Sequence, residues 1–149
     1  MKKRLAGCKG IYERIKADRK DIGLKTFVEV PTEQAKVEQM PLCFMVYGVD
    51  SIVKRSSRSA SASRKSDANI RSVEVILQLV AQKKDDIMDI FSKLREAIFT
   101  DIHPALNENN SVDTSVHMYE ERLEGPLGYG IPNVEALIFV ITLVYPDEN

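Results

Sequence analysis

The chain has 149 residues, 44% hydrophobic and 29% charged, with a formal net charge of -1. That is enough for one domain with a real core, and the composition is globular, which sets a disordered chain aside. No apolar run approaches the ~18 residues that span a bilayer; the longest, ALIFVITLVY, has the length of a buried strand.

The start, Met1-Lys2-Lys3-Arg4, is basic but is not followed by an apolar stretch, so no secretory signal is expected and a cytoplasmic site of synthesis is. Leu5, Cys8, Ile11, Tyr12 and Ile15 recur at helical spacing between charged residues, which predicts an amphipathic helix. Gly7 and Gly10 weaken its beginning, and Gly23 is the expected C-cap. Phe27-Val28-Glu29-Val30 reads as a short strand stopped by Pro31. Residues 32–40 read as a polar loop that tolerates a helical turn.

Residues 42–46 are apolar on both faces, as an inner strand should be, and Ile52-Val53 extends them. Val73, Val75, Leu77 and Leu79 fall on one face of a β run over 73–81. Asp85 or Asp86 opens a helix, in which Ile87, Ile90, Phe91, Leu94, Ala97 and Ile98 form the apolar stripe, and His103-Pro104 is its expected stop. Residues 114–121 alternate as a half-exposed strand. Residues 125–132, GPLGYGIP, read as a turn-rich connector. Residues 134–145 are the strongest strand, ended by Pro146. The expectation is a single α+β domain over 1–149: a mostly antiparallel sheet of hairpin-connected strands, with two helices packed on one face.

Between the second and third strands lies KRSSRSASASRKSDA, residues 54–68, a stretch too long and too polar for an ordinary loop of a small domain. It carries Lys54, Arg55, Arg58, Arg64 and Lys65 against one acid, Asp67. The surrounding charge is split as well. Residues 1–100 hold 20 Lys and Arg and 13 Asp and Glu, a net of +7; residues 101–149 hold Arg122 against nine acids, a net of -8. Such a split suits either a nucleic-acid face or self-complementary packing of copies. The basic stretch has three readings: a solvated loop, an arm on nucleic-acid phosphates, or an assembly arm that orders on a neighbouring subunit. It has no aromatic residue on which bases could stack, which counts against single-strand binding.

Chemistry-bearing constellations are absent. His103 and His117 have no partner at metal-ligand spacing. Asp85, Asp86 and Asp89 are explained by helix capping and the helix dipole, and Glu120, Glu121 and Glu124 by an exposed acidic rim. Residues 125–130 lack the Lys-Ser/Thr ending of a phosphate loop. Asn109-Asn110-Ser111 matches the glycosylation sequon, a frequent chance match. Cys8 and Cys43 are expected to be buried free thiols. The chain supports neither an enzyme nor a cofactor. The apolar, Gly/Pro-braced Leu127, Tyr129 and Ile131 are candidates for a subunit interface.

The pattern as a whole resembles the tail terminator proteins of long-tailed bacteriophages, the minor tail protein U class. The residues that carry the resemblance are Ile11-Tyr12-Glu13-Arg14-Ile15 in the first helix, the paired strands around the basic arm, the strand-helix unit 73–81 and 86–98, and the closing strand 137–145. It covers nearly the whole chain as a pattern; no single functional residue carries over by a motif. Other neck and head-tail completion proteins share this size and plan. The resemblance implies a virion protein, assembled in the host cytoplasm. It would form a ring of six copies that caps the finished tail tube and ends its polymerisation. Its partners would be itself, the tail tube protein and the head connector or neck protein, with DNA passing through the lumen unread and no membrane. The arm would reach an adjoining ring.

Overall fold

A computed structural model describes residues 2–29, 34–55, 69–99 and 117–146. In chain order these form α1 (Lys2–Ala17), α2 (Arg19–Ile22), β1 (Thr26–Glu29), a 3-10 turn (Val37–Gln39), β2 (Leu42–Arg55), β3 (Asn69–Gln82), α3 (Ile87–Phe99), β4 (His117–Gly128) and β5 (Val134–Pro146). The strands make one sheet in the order β1-β2-β3-β5-β4. The fold is α+β and mostly antiparallel, as the sequence predicts.

One pairing departs from the hairpin expectation: β1 runs parallel to β2, with Thr26 opposite Leu42 and Glu29 opposite Met45. A parallel neighbour needs a crossover of about a dozen residues. Residues 30–41 supply it, and the 3-10 turn falls within them.

The alternation of β3 sets the core. Val73, Val75, Leu77, Leu79 and Ala81 share one face with Leu137, Phe139, Ile141, Leu143 and Tyr145 of β5, all buried. Cys8, Ile11 and Ile15 of α1, Ile22 of α2, and the predicted six-residue stripe of α3 pack onto them. The ring of Phe91 meets Phe139 edge-on at 5.0 Å, and Arg14 Nε donates to the Ala97 carbonyl at 2.9 Å, joining α1 to α3.

Two of the predicted helix boundaries have their chemical cause in view; the third, His103-Pro104, lies outside the described residues. Gly23 sits at φ 98°, a left-handed conformation that glycine adopts without a Cβ penalty. Its N–H donates to the carbonyl of Lys20 at 3.1 Å while Leu24 N–H reaches that of Arg19 at 2.9 Å, the paired bonds of a Schellman end. At the start of α3, Asp86 Oδ1 accepts from the N–H groups of Met88 (3.2 Å) and Asp89 (3.3 Å). Asp86 is therefore the cap.

The stretch 125–132 is not a connector throughout. β4 continues to Gly128, so the connection to β5 is only residues 129–133. The pairing is interrupted between Glu124 and Leu127 and then resumes, with Leu127 opposite Ala136. A proline is tolerated here because β4 is an edge strand whose outer N–H groups need no partner. Gly125 is required by space and by backbone: at φ 108°, an added Cβ would come within 2.8 Å of the Ala136 carbonyl.

Candidate interaction surfaces

The helices α1, α2 and α3 all pack on one face of the sheet. Among the described residues, the other face is covered at one end. There Ala35 and Met40 from the crossover, with Tyr129 and Ile131 from the turn before β5, cover Leu42, Phe44, Val80 and Ala136. Tyr129 is fixed in this second cluster by its hydroxyl, which accepts from Ala35 N–H at 3.3 Å.

Beyond that cluster the described side chains of this face run from buried Val140 to exposed Tyr119. The register places Val46, Ile76, Val140 and Arg122 in one cross-strand row, and Glu74, Thr142 and Tyr119 in the next. Val46, Ile76 and Ile138 are half-buried, and Tyr119 is exposed. Arg122 lies 3.8 Å from Glu74 and 3.7 Å from Glu124, and Thr142 Oγ1 donates to Glu121 at 3.0 Å. Three acids thus surround one base on a surface of mixed polarity. Gly48 admits Glu74 to it: a Cβ on Gly48 would stand 2.7 Å from the Glu74 carboxylate.

The three interface candidates are separated by the structure. Leu127 projects from β4 with 59% of its surface exposed. Tyr129 and Ile131 are half-buried and pack on the second cluster.

Of the basic arm, Lys54 and Arg55 belong to the last residues of β2, where they stand opposite Ile70 and Asn69 of β3. Arg58, Arg64 and Lys65 lie outside the described residues. The described pairing of β2 with β3 thus ends at Arg55 and Asn69, away from the second cluster.

The predicted acidic rim is present on β4, where Glu120, Glu121 and Glu124 are all exposed. Glu120 points to the helical side, and both of its oxygens are taken by Arg95 of α3 through Nε and Nη2, the latter at 2.7 Å. The Arg95 hydrogen bond holds the Glu120 carboxyl below the usual range, and the same bond raises Arg95. Asp89 pairs with Lys93 at 3.2 Å, so the acids at the head of α3 are engaged in capping and pairing. Among the described residues no group of three or more His, Cys, Asp or Glu is placed to hold a metal ion, and no helix is long and apolar enough to cross a membrane. Cys8 and Cys43 are buried free thiols, as predicted, and burial pushes the Cys43 thiol up. His103 lies outside the described residues, and His117 begins β4.

An open hollow of about 290 Å³ lies between α1, α2 and α3, lined by Arg14, Asp18, Asp21, Ile22, Lys93, Glu96 and Ala97. Its charges are mixed, and Arg14 is already committed to the Ala97 carbonyl and to Asp18. It offers no set of convergent groups for a small ligand.

Sequence reasoning missed Glu74 and Arg122 as neighbours. The signal was the mixed alternation Glu74, Ile76, Gln78, Val80, the mark of a face that is covered at one end only. No protein-family model matches this chain, and no curated protein matches it.

Proposed function

We propose that this protein is a structural virion component, a tail terminator that forms a ring on the finished tail tube, stops its growth and presents the joining surface to the head connector. The observation that carries the reading is the β2–β3 hairpin. Its strands pair out to Arg55 and Asn69, across two register shifts, and the basic sequence 56–68 joins them, a segment whose charge and length suit a neighbouring ring. A closed ring needs two different patches on each subunit. The two unlike faces of this sheet, one helical and one open, supply candidates for them. The arm's charge also suits contact with the phosphates of passing DNA, without base-specific readout.

Electron microscopy of particles assembled without the protein tests this. Overlong tails detached from heads are expected. Tails of normal length that fail to join heads would favour another neck or completion protein. Salt-dependent duplex binding by the isolated chain, lost when residues 56–66 are deleted, would instead favour a DNA-binding accessory role.

A further inference from the structure

We infer that the open, acidic face of the sheet receives the basic side of α1 and α2 from a second copy of the chain. The choice of a second copy rests on the ring proposed above; the choice of surfaces rests on the following observations.

Strand addition at the β4 edge is opposed by its construction. The edge carries Glu120, Glu121, Arg122 and Glu124, its pairing slips between Glu120 and Arg122 and again between Glu124 and Leu127, and Pro126 removes a donor. Charges, bulges and proline are the devices that keep strand edges from pairing with other chains. A contact that includes β4 is therefore made through the face of the sheet. That face is acidic, with Glu74, Glu121 and Glu124 against Arg122, and it adds exposed apolar surface at Tyr119 and Leu127.

On the other side of the sheet, α1 and α2 carry a basic excess, while α3 and its cap add Asp86, Asp89 and Glu96 against Lys93 and Arg95. Along residues 9–25 the exposed charged side chains are Lys9, Lys16, Lys20 and Lys25 against Glu13 and Asp21, four bases to two acids. Lys9 and Lys16, seven residues apart, share one side of α1, with Glu13 between them. The complementary surfaces therefore lie on opposite faces of one sheet. Two copies that meet through them make a heterologous contact, which repeats from copy to copy and closes when the rotation allows. Exposed charge pairs contribute mainly register and encounter rate, and burial of Tyr119 and Leu127 contributes the affinity.

The test is sedimentation of the full chain over a range of concentration and salt. Glu121→Lys with Glu124→Lys, and separately Lys9→Glu with Lys16→Glu, should each weaken self-association by about tenfold or more, with circular dichroism unchanged because all four side chains are exposed. Mixing the two variants should restore association, since each then meets an opposite surface at both contacts. Variants that associate like the native chain, a mixture that stays dissociated, or a native chain that stays monomeric at every concentration overturns the inference. Overlong tails in particles without the protein, combined with unaffected charge variants, would leave the ring standing and reject this contact.

Discussion

Arg95 on α3 holds Glu120 on β4 in a two-point grip, the direct ionic tie between the helical layer and the sheet's edge strand. Both side chains are well exposed, so the pair is screened and its worth is small, below about 1 kcal/mol. Its pH dependence is nonetheless defined in sign. The Glu120 carboxyl is depressed in the folded protein, so its stabilisation is present above the unfolded carboxyl's pKa, about 4.3, and is lost as pH falls through the lower folded value. Glu120→Gln should therefore be slightly less stable than the native chain at neutral pH, and the difference should vanish in acid and shrink at high salt. Urea unfolding at several pH values measures it.

Gly125→Ala should cost about 1–3 kcal/mol, from a left-handed residue that acquires a Cβ. The Ala136 carbonyl, 2.8 Å from that Cβ, gives no room to relax without disturbing the β4–β5 pairing. Gly128→Ala is the control, since nothing lies within 4 Å of its added Cβ and its φ is ordinary. Denaturant midpoints for the two variants should separate clearly.

The two acids before α3 should behave unequally. Asp86→Ala removes the acceptor for two N–H groups of the first turn and should lower stability by about 1 kcal/mol. Asp85→Ala should change it by less than about 0.5 kcal/mol. Equal effects would show that the cap is not Asp86.

Leu127 and Tyr129, two residues apart, should report different things. Leu127→Ser should leave thermal stability within about 0.5 kcal/mol because the side chain is mostly in solvent. It should still impair ring assembly on tail tubes if its exposed surface is buried there. Tyr129→Ala should cost about 1–3 kcal/mol in the isolated chain, through lost packing and the lost acceptor for Ala35. Calorimetry on the free protein, beside a tube-capping assay, separates the two.

The elements with strong periodicity were legible from the residues. The α3 stripe matches its six buried residues, and the β3 alternation and the Gly23 stop are equally direct, because each depends on neighbours within a turn or two. What was hidden depends on partners far along the chain. The four residues of β1 contain no sign of their direction, which the crossover to β2 decides. Residues 42–46 and 52–53 do belong to one strand, as the residues suggest, but the irregular pairing between them, beside Gly48 and Glu74, was not legible. The continuation of β4 past Pro126 rests on its edge position. The open face was harder still: Glu74, Arg122 and Glu124 meet only through the register of three strands.

That strand order also governs when the protein can become itself. Synthesis delivers β4 before β5, yet β5 lies between β4 and β3 and is bonded to both. A nascent chain still lacking β5 holds a β2–β3 hairpin and a helix that has only β3 of the two central core strands to pack on, and β4 lacks the strand it pairs with. Long-range pairing of this kind is slow and is met late. Every surface that includes β4 is thus withheld until β5 has been inserted, so a copy without β5 lacks the part of that face which β4 and β5 supply.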